Sequence, residues 1–315
     1  MENRTKYIQR GPTTIPMIQT VNFNGTVKLN VSINGNWERI LPIPNGDLVR
    51  GSWRNYIEIW DIEKGVIKRN LTSGYSHPYV FGLLSNGDLV AGYNKNKTLL
   101  VWDLKKKSGE PLKRIMQTNE IFQCLTVLKN DDLAIGQEFL SDNFDIVIRD
   151  SQYGSIKHRL VGHKSRVLQI TEMENGNLVS CSDDRTVKVW NVKYGVILNS
   201  ITHTNALRSF MFLNNGFLVS SLWDGTINIW NLETNKLIRN LIGHTSAICH
   251  TYCLHVLGNG ELLSASYDRS LKVWNPYDGR VKFTSKLHKS KAIQLAVLPS
   301  GNFITSSLTE LVVWN

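Results

Sequence analysis

The chain has 315 residues, of which 42% are hydrophobic and 20% charged, with a formal net charge of +10. This composition excludes a disordered chain, and no run of about 18 apolar residues is present to make a membrane-spanning helix. The positive balance admits nucleic acid, acidic lipid or acidic protein as partner and does not choose among them.

In chain order, residues 1–20 come first. They carry Arg4, Lys6 and Arg10 but no apolar signal core, and Pro12 and Pro16 oppose a helix. A flexible tail is expected there, ahead of one domain over 21–315. Without an export signal, Cys124, Cys181, Cys249 and Cys253 are expected as buried thiols in a reducing compartment, cytoplasmic or nuclear, with no disulfide framework. The run GTVKLNVSI at 25–33 reads as a strand with no hairpin partner beside it.

From residue 40 onward one phrase recurs. It ends at Trp60, Trp102, Arg149, Trp190, Trp230, Trp274 and Trp314, at intervals of 42, 47, 41, 40, 44 and 40 residues. Upstream of each lies a turn signal: PNGDLV, SNGDLV, KNDDLA, ENGNLV, NNGFLV, GNGELL and PSGNFI. Asn-Gly between apolar runs marks a hairpin, because glycine accepts the positive φ of the turn. Runs such as TVKVW and TINIW alternate with period two, so each unit is a small antiparallel sheet of about four strands. A sheet of that size buries both faces only by stacking against copies of itself. The prediction is an all-β, seven-bladed β-propeller of four-stranded antiparallel blades. The last unit stops at Trp314-Asn315 without an outer strand, so the N-terminal strand at 25–33 is expected to complete the last blade.

These repeats resemble the WD-repeat (β-transducin) family. That family opens each repeat with Gly-His and closes it with Trp-Asp. Here the openings are Gly162-His163, Thr202-His203, Gly243-His244 and Leu287-His288, with Ser76-His77 a poorer match. An Asp stands six residues before the aromatic (Asp184, Asp224, Asp268) and a Ser ten before it (Ser180, Ser220, Ser264). By resemblance, three units carry a complete structural set: His163, Ser180, Asp184 and Trp190; His203, Ser220, Asp224 and Trp230; His244, Ser264, Asp268 and Trp274. Ser, His and Asp together suggest a hydrolase, but three copies of one triad fit a scaffold better. The other units depart from the pattern. Arg54 and Asn96 stand at the Asp position, Arg149 replaces Trp, the turn GQEFLSDNF is long, and the seventh unit is short. Those units should be less tightly pinned.

No nucleotide-binding, zinc-protease or nucleophile-elbow motif occurs. Cys249-His250-x-x-Cys253-x-His255 is placed in a strand that splits its side chains between two faces, so no metal and no cofactor are expected. The chain is expected not to be an enzyme. By resemblance, partners of such proteins lie over the mouth of the central channel. The corresponding positions are Lys95, Asp183, Trp223 and Tyr267 in the turns, and Tyr79, Phe81, Arg166, Leu168, Arg208, Lys291 and Ile293 around the inner strands. Exposed aromatics beside cations suit an acidic or phosphorylated protein segment. The expected function is a non-catalytic protein-interaction scaffold, a monomeric propeller within a complex and not at a membrane. Two other readings are a basic propeller on nucleic acid and a structural subunit that binds through its sides or lower face.

Overall fold

The computed structural model describes residues 26–33, 39–52, 55–106, 113–117, 121–137, 143–249, 252–286, 289–307 and 309–315. The expected tail at 1–20, Arg54, Leu287-His288 and most of the long third turn lie outside these residues.

Twenty-eight strands form seven four-stranded antiparallel sheets. In the chain β1 (Val27–Ser32) precedes blade 1, which runs β2 (Ile40–Pro42), β3 (Leu48–Gly51), β4 (Tyr56–Asp61), β5 (Val66–Thr72). Blade 2 is β6 (Val80–Leu83), β7 (Leu89–Tyr93), β8 (Thr98–Trp102), β9 (Lys113–Gln117). Blade 3 is β10 (Phe122–Val127), β11 (Leu133–Gln137), β12 (Ile146–Arg149), β13 (Ile156–Leu160). Blade 4 is β14 (Val167–Glu172), β15 (Leu178–Ser182), β16 (Thr186–Asn191), β17 (Val196–Thr202). Blade 5 is β18 (Leu207–Phe212), β19 (Leu218–Leu222), β20 (Ile227–Asn231), β21 (Lys236–Leu241). Blade 6 is β22 (Leu254–Val256), β23 (Leu262–Ala265), β24 (Ser270–Trp274), β25 (Val281–Lys286). Blade 7 holds β26 (Ala292–Val297), β27 (Phe303–Ser307), β28 (Glu310–Trp314) and takes β1 as its outer strand.

Turn chemistry explains why the units look alike. In six of the first hairpins the glycine takes φ between +80° and +91°; in blade 3 Asp131 does the same at 64°. In blades 1 to 6 the preceding asparagine closes the turn: Asn45 accepts from the Asp47 amide at 3.0 Å, and Asn86 from Asp88 at 2.9 Å. The two middle strands of a blade are buried on both faces, as in β7, β8, β11 and β15. In blades 1, 3, 4, 5 and 6 the outer strand bulges opposite the closing aromatic position; in blade 4, for example, Val189 faces Asn199 while Trp190 faces Ile197. In blade 2 the bulge comes earlier, between the partners of Leu99 and Leu100.

Neighbouring blades pack apolar face to apolar face, so the core is a series of layers between sheets. Side-chain amides also clamp one inner strand to the next. Gln169 exchanges two hydrogen bonds with the backbone of Phe210, at 3.0 and 3.1 Å. Gln294 does so with Ile40, at 2.8 and 3.0 Å, and thereby joins blade 7 to blade 1. The ring is sealed by β1, which runs antiparallel to β28 with Val27 opposite Trp314 and Ser32 opposite Glu310.

Candidate functional site

Two of the His–Ser–Asp–Trp sets form one continuous chain of hydrogen bonds. His163 Nδ1 lies 2.8 Å from Asp184, its Nε2 2.7 Å from Ser180 Oγ, and Trp190 Nε1 donates to that oxygen at 2.8 Å. His244, Ser264, Asp268 and Trp274 repeat this with all three distances at 2.8 Å. A carboxylate only accepts, so Nδ1 carries the ring proton. Burial lowers the pKa of both imidazoles, which leaves Nε2 to accept from the serine hydroxyl. Burial alone would raise the Asp184 carboxyl, but bonds from His163, Thr186 and the Lys164 amide hold it below the usual carboxylate range. The arrangement mimics a hydrolytic triad, yet Ser180 and Ser264 are wholly buried and each already accepts from an indole. No substrate can reach them, so the chain of bonds is a brace.

The blade 5 set is broken. His203 Nε2 reaches Ser220 Oγ at 2.7 Å, but Nδ1 makes no bond to Asp224, and Trp230 Nε1 has no hydrogen-bond partner. Asp224 is exposed and accepts instead from Asn205, at 3.2 Å. The cause lies two residues before the aspartate. Ser182 and Ser266 each accept from the following Asp amide at 3.1 Å and fix the turn, whereas blade 5 has Leu222 there. This signal was present in the sequence.

Other blades substitute different partners. In blade 1, Arg50 stands at the serine position and ion-pairs with Glu58, which accepts from Trp60 Nε1 at 2.8 Å. In blade 2 the position is Gly92, and Trp102 Nε1 has no hydrogen-bond partner. Arg149 of blade 3 donates to the Gly154 carbonyl at 2.8 Å. In blade 7, Thr305 accepts from Trp314 at 2.8 Å, and Glu310 accepts from the Lys289 amide at 2.8 Å, as Asp184 does from Lys164.

At the channel mouth, side chains of blades 4 to 7 converge. Arg166 ion-pairs with Asp183. The Arg208 guanidinium stacks on the Trp223 ring, 3.4 Å from its centroid, and Lys291 lies 5.4 Å from that of Tyr267. Arg208 feels Tyr267, Asp183 and Arg166 electrostatically, so the groups share one patch. Three expectations are corrected. Arg208 is fully buried beneath a Trp223 that is 50% exposed, and desolvation lowers its pKa to about 10. Leu168 is core, because it faces the next blade and not the mouth. Phe81 is part-buried and fills the space over Gly51 of blade 1. Tyr79 is also part-buried, while Lys95 is exposed on the blade 2 turn, apart from the main patch. The Ile293 side chain lies outside the described residues.

The WD domain, G-beta repeat family model matches residues 154–191, 195–231 and 235–275, which are blades 4, 5 and most of 6. The same unit recurs seven times around the ring. The chain belongs to the WD40-repeat propeller family. Protein tipD of Dictyostelium discoideum is 25% identical over 42% of this WD40 chain and 21% of its own length. Autophagy-related protein 16 of Arabidopsis thaliana is 25% identical over 52% of the chain and 32% of its own. This propeller thus spans at most a third of either curated relative. In fold it is similar to the crystal structure of the WD40 propeller domain of Doa1, with a TM-score of 0.75, 19% identity, and coverage of 93% of this chain and 98% of that one.

The WD40 ring departs from its sequence reading inside the channel. Cys249 and Cys253 are not strand thiols but a disulfide, with Cα atoms 5.7 Å apart. Four extended residues would separate those atoms by about 13 Å. Tyr252 takes φ 56°, and β22 begins only at Leu254, after both cysteines. The Tyr252 phenol sits near Thr126 and Arg39, and burial pushes its pKa up to about 12. Arg39 itself donates to the Gln123 carbonyl at 2.9 Å, reaching from blade 1 to blade 3. Cys124 and Cys181 are free, buried thiols. Among the described residues no cluster of His, Cys, Asp and Glu has the makings of a metal site.

Proposed function

We propose that this WD40 propeller is a non-catalytic scaffold that holds an acidic or phosphorylated segment of another protein over its channel mouth. The observation that carries the reading is the convergence of Trp223, Arg208, Tyr267, Lys291 and Arg166 from four consecutive blades. Trp223 supplies a rigid aromatic contact held flat by Arg208, and Lys291 supplies a charge that an acidic group can meet at the rim. Asp183 offsets Arg166, so Lys291 and the stacked Arg208 carry more of the net attraction.

Because Arg208 is buried, its reversal would disturb the fold, and the informative pair is Trp223→Ala with Lys291→Glu. Affinity purification with the wild type and this double variant, quantified by mass spectrometry, tests the reading. A defined set of proteins should be lost from the variant at an unchanged thermal midpoint. Equal recovery on both baits refutes the mouth as the binding surface.

A further inference from the structure

In blades 1, 3, 4, 5 and 6 the outer strand has one bulged residue, three before a buried anchor. In blades 1, 3 and 6 that residue is Lys68, Lys157 or Lys282. Each lysine bridges to an acid on the first hairpin turn: Asp47 at 2.5 Å, Asp132 at 2.6 Å, and Glu261. In blades 4 and 5 both halves of this ion pair are gone. Leu198 and Ile238 replace the lysine, and Asn177 and Phe217 replace the acid. The substituted residues are not buried in exchange. Leu198 is 52% and Ile238 46% exposed, with Val196, Ile197 and Leu237 exposed beside them. Among the seven outer strands β17 is the only one with no charged residue. The two corners adjoin, because Asn199 donates to the Leu232 carbonyl at 2.7 Å and to Asn235 at 2.9 Å across the blade boundary.

We propose that the lower outer rim of blades 4 and 5 is a second docking surface, for a short partner-protein segment with a row of apolar side chains and acidic residues at its ends. The row would lie on Leu198, Ile238 and their aliphatic neighbours. The acidic ends would meet Lys193, exposed on the turn before β17, and Lys236, exposed at the start of β21. Size argues against a second copy of this chain. Five part-exposed aliphatic side chains offer on the order of 300–400 Å², below the roughly 800 Å² per partner of a stable interface. A net charge of +10 on each copy also opposes self-association and favours an acidic partner. This surface is remote from the mouth in function and does not rest on the reading given for it.

The test uses two fluorescein-labelled ten-residue peptides with leucine at alternate central positions, one ending in paired aspartates and the other in paired lysines. Anisotropy with the full chain should show the aspartate-ended peptide binding at least about tenfold more tightly. Leu198→Lys with Ile238→Lys, which restores what three other blades carry, should weaken it by about tenfold or more, and Trp223→Ala should leave it unchanged. Should the lysine pair unfold the chain, Leu198→Ser with Ile238→Ser serves in its place. Equal binding of both peptides, equal binding to the rim variant, or no binding to the wild type overturns the proposal. So does a concentration-dependent dimer that the rim variant abolishes, since a second copy would then be the occupant.

Discussion

Asp184 and Asp224 stand at equivalent positions of adjacent blades and do different work. Asp184 accepts from a buried imidazole, from Thr186 and from the Lys164 amide. Asp224 holds only its own turn and Asn205. Removing Asp184 leaves a buried ring N–H with only the Thr186 hydroxyl, 3.3 Å away, to accept it, at a cost of about 1–3 kcal/mol, whereas Asp224 has no such dependant. Asp184→Ala should therefore lower the thermal midpoint by several degrees, and Asp224→Ala by no more than about one. Differential scanning calorimetry of the two variants checks this; equal losses would mean that the blade 5 brace forms after all. The six-residue spacing made both aspartates look alike, and the neighbouring Ser182 and Leu222 told them apart.

At the scale of elements, the irregular pieces close the ring and fill its centre. β1 gives blade 7 its fourth strand, with Ile33 donating to the Thr309 carbonyl at 2.8 Å and Asn315 to Thr26 at 3.0 Å. Leu29 and Val31 pack on Gly65 of blade 1, where φ is +67° and a Cβ would come within 3.1 Å of Val31. The strand is thus a clasp on two blades. A chain starting after Ser32 should lose its sharp thermal transition and expose the β28 edge to aggregation; a truncated chain that melts at the wild-type temperature would show that the clasp is dispensable. A spare strand with no hairpin partner was legible from the unit count. The pairing of Cys249 with Cys253 was not, because alternating residues around them read equally well as strand.

Across the whole molecule, burial keeps the imidazoles of His163, His203, His244 and His255 neutral. Burial lowers the pKa of His203 and His255 to about 4, and lowers those of His163 and His244 as well. The unfolded chain takes up these protons near 6.5, so from there down to about 4 it binds more protons than the folded one, and stability falls. Each of His203 and His255 accounts for on the order of 3 kcal/mol by the lower end. Asp184 and Asp268 act further down, where their depressed carboxyls lose stability as pH falls below the ordinary carboxylate value. The thermal midpoint should be level above pH 7 and drop steeply between pH 6.5 and 4, with the slope reduced in His203→Gln. A midpoint at pH 5 equal to that at pH 7.5 would contradict the burial of these rings.

The sequence by itself determined the number of blades, their strand order, the turns and the need for an outside strand to close the last one. These are local matters, set by period-two alternation, by Asn-Gly turn chemistry and by the count of strands per repeat. It also marked the residue types at the mouth. Only the tertiary structure decided that Arg208 lies under Trp223, that Leu168 is core, that Asp224 misses its histidine, that Cys249 pairs with Cys253, and that the ion pair of three blades is an apolar corner in two others. Each of these depends on which side chain of a neighbouring blade or strand comes within a few ångströms, and a repeat read one unit at a time does not contain its neighbours.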